Sequence, residues 1–595
     1  MKLARLIGAS VAVLCLSATA HAQINWVSYS KDNSKVSGIN ANQISNSTNE
    51  TDIEWADLDL DGWTDVIIVR KQPFTSTGKR TNLLFMNVNG TLTNQTSAFA
   101  TDADVGGDNG FNTATNDRDV IADDFDQDGW LDFITATTLS DGDPKHIGHP
   151  RIYMNKGASD SAGQNWQGMR FENSRMPQFK HFGTGNNQNP RFCSVDTGDV
   201  TGNGYPDAYF GDYDSSGAGG AGQGSNEDLN DRLIINNGNA VFSDGSQARM
   251  TSQMLASAFG NSVDINDFNL DGVNDIMKDT SLNAPQYVAV SYNNPNNEGF
   301  FNLFDAFSTL APYHISTGDL NNDGRLDVVI SDDGSDRWRT NDSNDGLGRV
   351  NWSSAHTFNA SGGDDGFASN NGIVDIDRDG WADVYICDVD VDIGGCSRRL
   401  HIYKNNGSGT SFTEQSGGGD ISAQGLDSGD LGGMHDLACA DFDRDGDMDL
   451  LLSDCGATDY WTNTKGNSWA TYTYGLADDS LNGGLAHMSF EGQPVPGGNF
   501  KIVVEGANPN SFFALLTGTG SRETNWLPAP YGNIYVSNTF RTYGNTDSEG
   551  RGEISVNVTV GMSGNWEYHQ FLLRDPGGND GNLQTSDALA VRYGN

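Results

Sequence analysis

The apolar residues of this chain fall in short aliphatic and β-branched runs, set between segments rich in Asp, Asn and Gly. Val328-Val329-Ile330 and Leu450-Leu451-Leu452 are two such runs. Their length and flanking turns predict strands, not helices. A second set comprises Leu84-Phe85-Met86-Asn87, Ile152-Tyr153-Met154-Asn155, Leu233-Ile234-Ile235-Asn236 and Ile402-Tyr403-Lys404-Asn405. Each of these ends in an Asn/Gly turn. The chain therefore reads as a repeat of strand, acidic loop, strand, strand, turn and strand.

The acidic loop is Asp-x-Asp-x-Asp-Gly-x-x-Asp, or a close variant, and it occurs seven times. Alternate residues of a tight loop turn toward one centre, so carboxylates at positions 1, 3 and 5 converge. Glycine at position 6 permits the bend, position 7 offers its carbonyl, and position 9 closes the shell. Hard oxygen donors in a flexible cage suit Ca²⁺ better than Mg²⁺. The candidate ligands are Asp57, Asp59, Asp61, Trp63 and Asp65, then Asp124, Asp126, Asp128, Trp130 and Asp132. The third and weakest copy is Asp199, Thr201, Asn203, Tyr205 and Asp207; the fourth is Asp267, Asn269, Asp271, Val273 and Asp275. The fifth is Asp319, Asn321, Asp323, Arg325 and Asp327, and the sixth is Asp375, Asp377, Asp379, Trp381 and Asp383. The seventh is Asp441, Asp443, Asp445, Asp447 and Asp449. No Glu stands at position 12 and strands flank the loops, which separates them from EF-hands. Successive copies lie 52 to 75 residues apart, the length of a four-stranded propeller blade.

These repeats resemble the FG-GAP and VCBS repeats of integrin α-subunit propellers and of many secreted bacterial proteins. Phe259-Gly260-Asn261-Ser262-Val263 followed by the loop at Asp267 is close to the whole family pattern, whereas most other copies lack the Phe-Gly start. The likeness covers roughly residues 24 to 485. It implies a seven-bladed all-β propeller with up to seven calcium ions, each between the first two strands of a blade. The rings of Trp63, Trp130, Tyr205 and Trp381 at position 7 are expected to pack between blades.

From His487 onward the acidic motif stops. Phe500–Glu505, Ser511–Leu516, Asn533–Ser537 and Glu553–Val560 read as strands of a separate small β-sandwich, which resembles C-terminal modules found after such repeats. Met1 to Ala22 has Lys2 and Arg5, an apolar stretch and Ala20-His21-Ala22, the form of a secretory signal. The expected organisation is thus a signal at 1–22, a propeller at 23–485 and a sandwich at 486–595. No later apolar run is long enough to cross a bilayer.

Removing the signal leaves 33 basic and 79 acidic residues, a net charge of −46. The acidic excess argues for solubility and against nucleic acid. In an exported chain Cys387 with Cys396 is the favoured disulfide, Cys439 with Cys455 is possible, and Cys193 is the odd thiol.

No familiar catalytic motif is present. His146 and His149 form a His-x-x-His pair without an obvious third ligand, and His435 precedes the seventh loop on its first strand. Seven cations between Lys145 and Arg191 face only Asp160 and Glu172. Within that stretch Arg151, Arg170, Arg175, Lys180 and His181 are candidate contacts for an acidic glycan; the alternative is pairing with neighbouring acidic blades. Three functions remain open: a secreted or cell-surface adhesion module for a glycan or protein, a lyase on acidic polysaccharides, and a structural envelope protein.

Overall fold

The computed structural model describes residues 26–594 apart from 39–49, 72–78, 160–164, 214–229, 258, 282–285, 310–311, 333, 361–367, 389–399, 415–434, 454–457, 465–469, 475–485, 506, 519–539, 549, 560–561, 563–564 and 575–582. The signal segment, Cys396, Cys455 and the strand expected at Asn533–Ser537 lie outside the described residues. Seven sheets of four or five strands, antiparallel except for a parallel outer strand in the first two, follow one another along the chain and are numbered here 1 to 7. Their inner strands are Glu50–Ala56, Asp117–Asp123, Phe192–Gly198, Val263–Asn266, Pro312–Gly318, Ala368–Val374 and Asp436–Ala440. Each touches the next in that order, and Asp436–Ala440 returns to Glu50–Ala56. The sheets therefore form a ring, as the blades of a β-propeller do.

The core lies between sheets, not inside them. Leu58, Ile67 and Leu84 of sheet 1 meet Val120, Trp130 and Phe133 of sheet 2. At the closing junction Ile53, Val66 and Phe85 meet Ala438, Phe442 and Leu451 of sheet 7. Second strands such as Asp65–Lys71 are buried along their whole length because both faces meet a neighbouring sheet. That double burial explains apolar runs that are continuous instead of alternating. The ring is closed by chain ends far apart in sequence. Tyr29–Lys31 pairs antiparallel with Trp461–Asn463 as the outer strand of sheet 7, and the Lys31 ammonium lies 2.6 Å from Asp459.

The C-terminal region forms a five-stranded and a three-stranded sheet enclosing a separate core of Phe500, Ile502, Phe513, Phe571 and Val591. The strand Ala470–Tyr474, before residue 486, pairs with the last strand, Leu583–Arg592, and so joins this sheet. Gln493 donates to the Arg378 carbonyl at 2.6 Å, and Arg592 to that of Asp445 at 3.1 Å. These bonds place the module against the sixth and seventh acidic loops.

The expected disulfide of Cys387 is not formed. Cys387 and Cys439 are buried thiols in the core between sheets 6 and 7, turned toward Leu400, Ile402 and Leu450. Burial pushes both thiols up, far from the reactive thiolate range. Cys193, expected as the odd thiol, is buried with its sulfur 3.1 Å from Asn261 Oδ1.

Candidate functional site: acidic loops and an axial cavity

Every acidic loop joins an inner strand to the second strand, which begins at the position-9 aspartate in all seven sheets. The loop closes on itself because the position-1 carboxylate accepts N–H groups from positions 5 and 6. Asp124 takes Asp128 at 3.1 Å and Gly129 at 2.7 Å; Asp319 takes Asp323 at 3.1 Å and Gly324 at 2.7 Å. Position 4 is left-handed throughout: Leu60, Gln127, Leu270, Asn322, Arg378 and Arg444 have φ between 54° and 59°. For side chains other than glycine this costs roughly 1–2 kcal/mol each. Glycine at position 6 has φ between 82° and 102°, a region closed to a Cβ.

In the first loop positions 1, 3 and 5 converge as the spacing predicts, and in the second, sixth and seventh the converging set is positions 1, 3 and 9. Oxygen atoms of Asp57, Asp59 and Asp61 lie within 4.8 Å of one another, as do those of Asp124, Asp126 and Asp132. Asp375, Asp377 and Asp383 form a third such group, and Asp441, Asp443 and Asp449 a fourth. Each could hold a metal ion. In loops three, four and five, Thr201, Asn269 and Asn321 replace the position-3 acid. The donor set fits a hard cation. Asp126 Oδ1, Asp275 Oδ2 and Asp441 Oδ1 are buried without a hydrogen-bond partner among the described residues. In loop six the Lys404 ammonium has been drawn to 2.6 Å from Asp379 and also pairs with Asp377. Burial, reinforced by neighbouring carboxylates, pushes Asp124 up to about 7, and Asp57 and Asp132 well above the usual carboxylate range. A bound cation would relieve both causes.

The position-9 aspartate also wires the loops together. Asp65 accepts N–H groups from Leu58 at 3.0 Å and Asn87 at 2.7 Å; Asp132 accepts from Phe125 at 3.2 Å and Asn155 at 2.7 Å. The asparagine is the one that ends the third strand, and its amide reaches the previous sheet. Asn155 Nδ2 donates to the Leu58 carbonyl at 2.9 Å, Asn236 to Phe125 at 2.8 Å and Asn293 to Val200 at 2.7 Å. Asn87 donates to Phe442 at 2.8 Å, across the closing junction. Each amide therefore fastens the position-2 carbonyl of the loop before it.

A second acidic region lies on the ring axis, where the inner strands line a cavity of about 380 Å³. Its walls include residues five and three positions upstream of the loops. Those five upstream include Asp52, Asp119, Ser262, His314, Asn370 and Asp436; those three upstream include Glu54, Asp196, Asp264 and Ser316. An inner strand is a sheet edge with N–H groups lacking a ladder partner. Side chains of the neighbouring strand supply one. Asp436 accepts Ile53 N–H at 2.7 Å, Asp52 accepts Val120 at 3.2 Å, Asp119 accepts Val195 at 2.7 Å and Ser262 accepts Ile315 at 2.7 Å. Burial pushes Glu54 up to about 8 and Asp119 and Asp436 well above the usual range. Nothing in composition singles out these residues. A register count back from each loop, with the period of two of a strand, places them on one face.

The basic segment between Lys145 and Arg191 is largely spent inside the protein. Arg151, expected at a ligand surface, is fully buried, donates to Asp108 at 2.8 and 3.0 Å and lies 3.6 Å over the Phe171 ring. It serves the core, since only an acid partner and ring contacts make a buried guanidinium tolerable. Arg175 pairs with Glu172 at 2.5 Å and reaches the Asn239 carbonyl; Arg170 lies 3.7 Å from Glu172 and 3.9 Å from Asp102. His181 Nδ1 accepts N–H groups from Gly183 and Thr184, which fixes a local turn. Of the five, Lys180 is exposed and its ammonium has no partner among the described residues. His149 is turned inward, its Nε2 accepting Phe179 N–H at 3.3 Å, and joins no metal-holding group with His146 among the described residues. His435 is buried with Nδ1 2.7 Å from the Thr51 carbonyl. Trp130 packs in the core between sheets 1 and 2, and Trp63 lies under the Arg444 guanidinium of sheet 7.

Residues 319–386 and 375–452 match the model for FG-GAP-like repeats. No curated protein matches the chain. Among solved structures, the Photorhabdus luminescens Tc holotoxin pore is similar at 12% identity and a TM-score of 0.36, over 88% of this chain and 22% of that one. The chain thus spans about a fifth of that toxin chain's length. A Trypanosoma rangeli sialidase is similar at 9% identity and a TM-score of 0.34, over 84% of this chain and 96% of that one. The V. cholerae biofilm matrix protein Bap1 is similar at 11% identity and a TM-score of 0.26, over 68% of each chain. Among the described residues no helix is long and apolar enough to cross a membrane.

Proposed function

We propose that this protein is an exported binding module whose propeller is held rigid by calcium at its acidic loops and recognises a glycan or an extracellular protein. One observation carries the reading. The same loop recurs at the same place in all seven sheets of the ring, with a left-handed residue at position 4, and in four of them its carboxylates converge on one point. Calcium outside the cell is abundant enough to fill such oxygen cages, and Asp57, Asp59, Asp61 and Asp65 with the Trp63 carbonyl would hold it in the first. The ion supplies charge neutralisation and fastens two strands; the chain's own residues then hold the ring in register. The FG-GAP-like repeats support a role as a scaffold for recognition. Calorimetric melting with and without a chelator tests the metal, and retention on glycan and surface-protein arrays tests the binding. Melting indifferent to chelation removes the calcium, and an empty array removes the binding function.

A further inference from the structure

We propose that the axial cavity is a binding site for an amino sugar, a saccharide bearing a free primary ammonium, held by the carboxylates of the inner strands. This gives the binding function above a place and a ligand class, and rests on it.

The structural duty of these carboxylates does not explain their charge. Asp52, Asp119 and Asp436 each accept a backbone N–H from the next inner strand. At the equivalent place in sheet 4, Ser262 does the same with a neutral hydroxyl at 2.7 Å. Capping therefore requires only an acceptor, and a carboxyl is the costlier one to bury because its charged form loses water. Six carboxylates line the cavity: Asp52, Glu54, Asp119, Asp196, Asp264 and Asp436. On the opposing side, the Arg118 guanidinium lies beside Asp52 and Asp119. His314 is held neutral, because burial and Arg118 lower it to about 3. With so little positive charge beside them, burial raises the Glu54, Asp119 and Asp436 carboxyls, and a bound ammonium is the partner that would stabilise their ionised form.

Two groups in the wall point to a ligand independently of the acids. Tyr385 is 6% exposed and lines the cavity, and its hydroxyl has no hydrogen-bond partner among the described residues. Its ring covers Gly372, the residue three upstream in sheet 6, where a Cβ would fall 2.4 Å from the hydroxyl oxygen. Asn371, 4% exposed, leaves Oδ1 without a partner while its Nδ2 donates to Ser331 and the His314 carbonyl.

Spacing and size select the class. Four of the loops gather three acidic oxygens within 4.8 Å, and the axial carboxylates form no such triad among the described residues, so a bare metal ion is a poor fit there. The cavity holds about a dozen waters' volume, enough for one pyranose ring. Hydroxyls can pair with Ser316, Thr317, Asn266 and Tyr385, while the carboxylates take the ammonium. A uronate would be repelled.

Calorimetric titration of the calcium-loaded full chain with glucosamine, N-acetylglucosamine, glucose and spermidine tests this. Glucosamine should bind, with glucose and N-acetylglucosamine weaker by about tenfold or more. Asp119→Asn and Asp196→Asn should each lower glucosamine affinity by roughly tenfold with melting little changed, since the asparagine oxygen keeps the acceptor for Val195 and for Ile265. Tyr385→Phe should weaken it severalfold. Equal binding of N-acetylglucosamine overturns the role of charge, and equal binding of spermidine overturns the sugar. Silence with every probe overturns the site. If the protein is still retained on a glycan or protein array, only the axial site falls; if the array is empty too, the binding function falls with it.

Discussion

The acidic loops and the axial cavity both concentrate aspartate, yet they arrange it in opposite ways. In four of the loops the acids at positions 1 and 3 and one further acid, at position 5 or 9, aim at one point, and three carboxylate oxygens come within 4.8 Å. On the axis, residues two apart in an extended strand share a face, and each carboxylate is tied to a neighbouring strand. The loop shell is made by one short segment, and one ion would satisfy it. The axial set is made by sheets far apart in sequence and surrounds a space. Local backbone geometry, not residue type, decides which of the two a run of acids becomes.

The largest test of this contrast is removal of calcium. Each independent site at about 100 times its dissociation constant contributes roughly 2.7 kcal/mol, so chelation should lower the melting temperature by more than about 10 °C. Calcium should restore it, as followed by calorimetry. Next comes the position-9 aspartate. Asp132→Ala strips the N–H groups of Phe125 and Asn155 of their acceptor as well as removing a ligand, and should cost about 3 kcal/mol or more in denaturant unfolding.

A pH titration separates the two regions. In chelated protein Asp124 and Asp327 stand at about 7 and Asp275 and Asp383 at about 8, all raised from 3.8. The folded state then binds more protons than the unfolded one, so stability is full below pH 4 as far as these groups go and falls as pH rises toward 8. Calcium should abolish the loop part of that slope. The axial part, from Glu54 at about 8 and its neighbours, should persist with calcium bound. A slope that calcium leaves untouched would mean the loops are not the calcium sites.

Smaller effects follow. Asn236→Ala breaks the amide bond to the Phe125 carbonyl between sheets 2 and 3 and should cost about 1–2 kcal/mol, read from the urea midpoint. Smallest is Asp119→Asn, which keeps its acceptor for Val195 and should shift melting by no more than about 1 °C. A drop comparable to that of Asp132→Ala would show the axial charge to be structural.

Much of the architecture was legible beforehand. The Asp-Gly loops, the aliphatic runs after them and the Asn/Gly turns each report a local rule, and the strand, loop, strand, strand order holds in all seven sheets, while the fourth strand of sheet 7 comes from Tyr29–Lys31 and that of sheet 5 follows an inserted hairpin. The ligand pattern was equally local, down to Thr201 and the two asparagines that thin the shells. The basic segment left two readings open because counting charges takes no account of partners. Arg151 is balanced by Asp108, 43 residues earlier, and Arg175 by Glu172 and a carbonyl from the next sheet. Cys387 misled, since its nearness to Cys396 in sequence said nothing of the core it faces.

By itself, then, the sequence determined everything that a dozen consecutive residues can dictate: the turn at each glycine, the inward acids, the strands on either side. Tertiary structure alone decided what happens between sheets. It brought Tyr29–Lys31 to the last sheet, set Asn155 on the Leu58 carbonyl, and drew Asp52, Asp196, Asp264 and Asp436 around one cavity. The physical reason is separation along the chain: those meetings join residues tens to hundreds of positions apart, and closing the ring is what makes them neighbours.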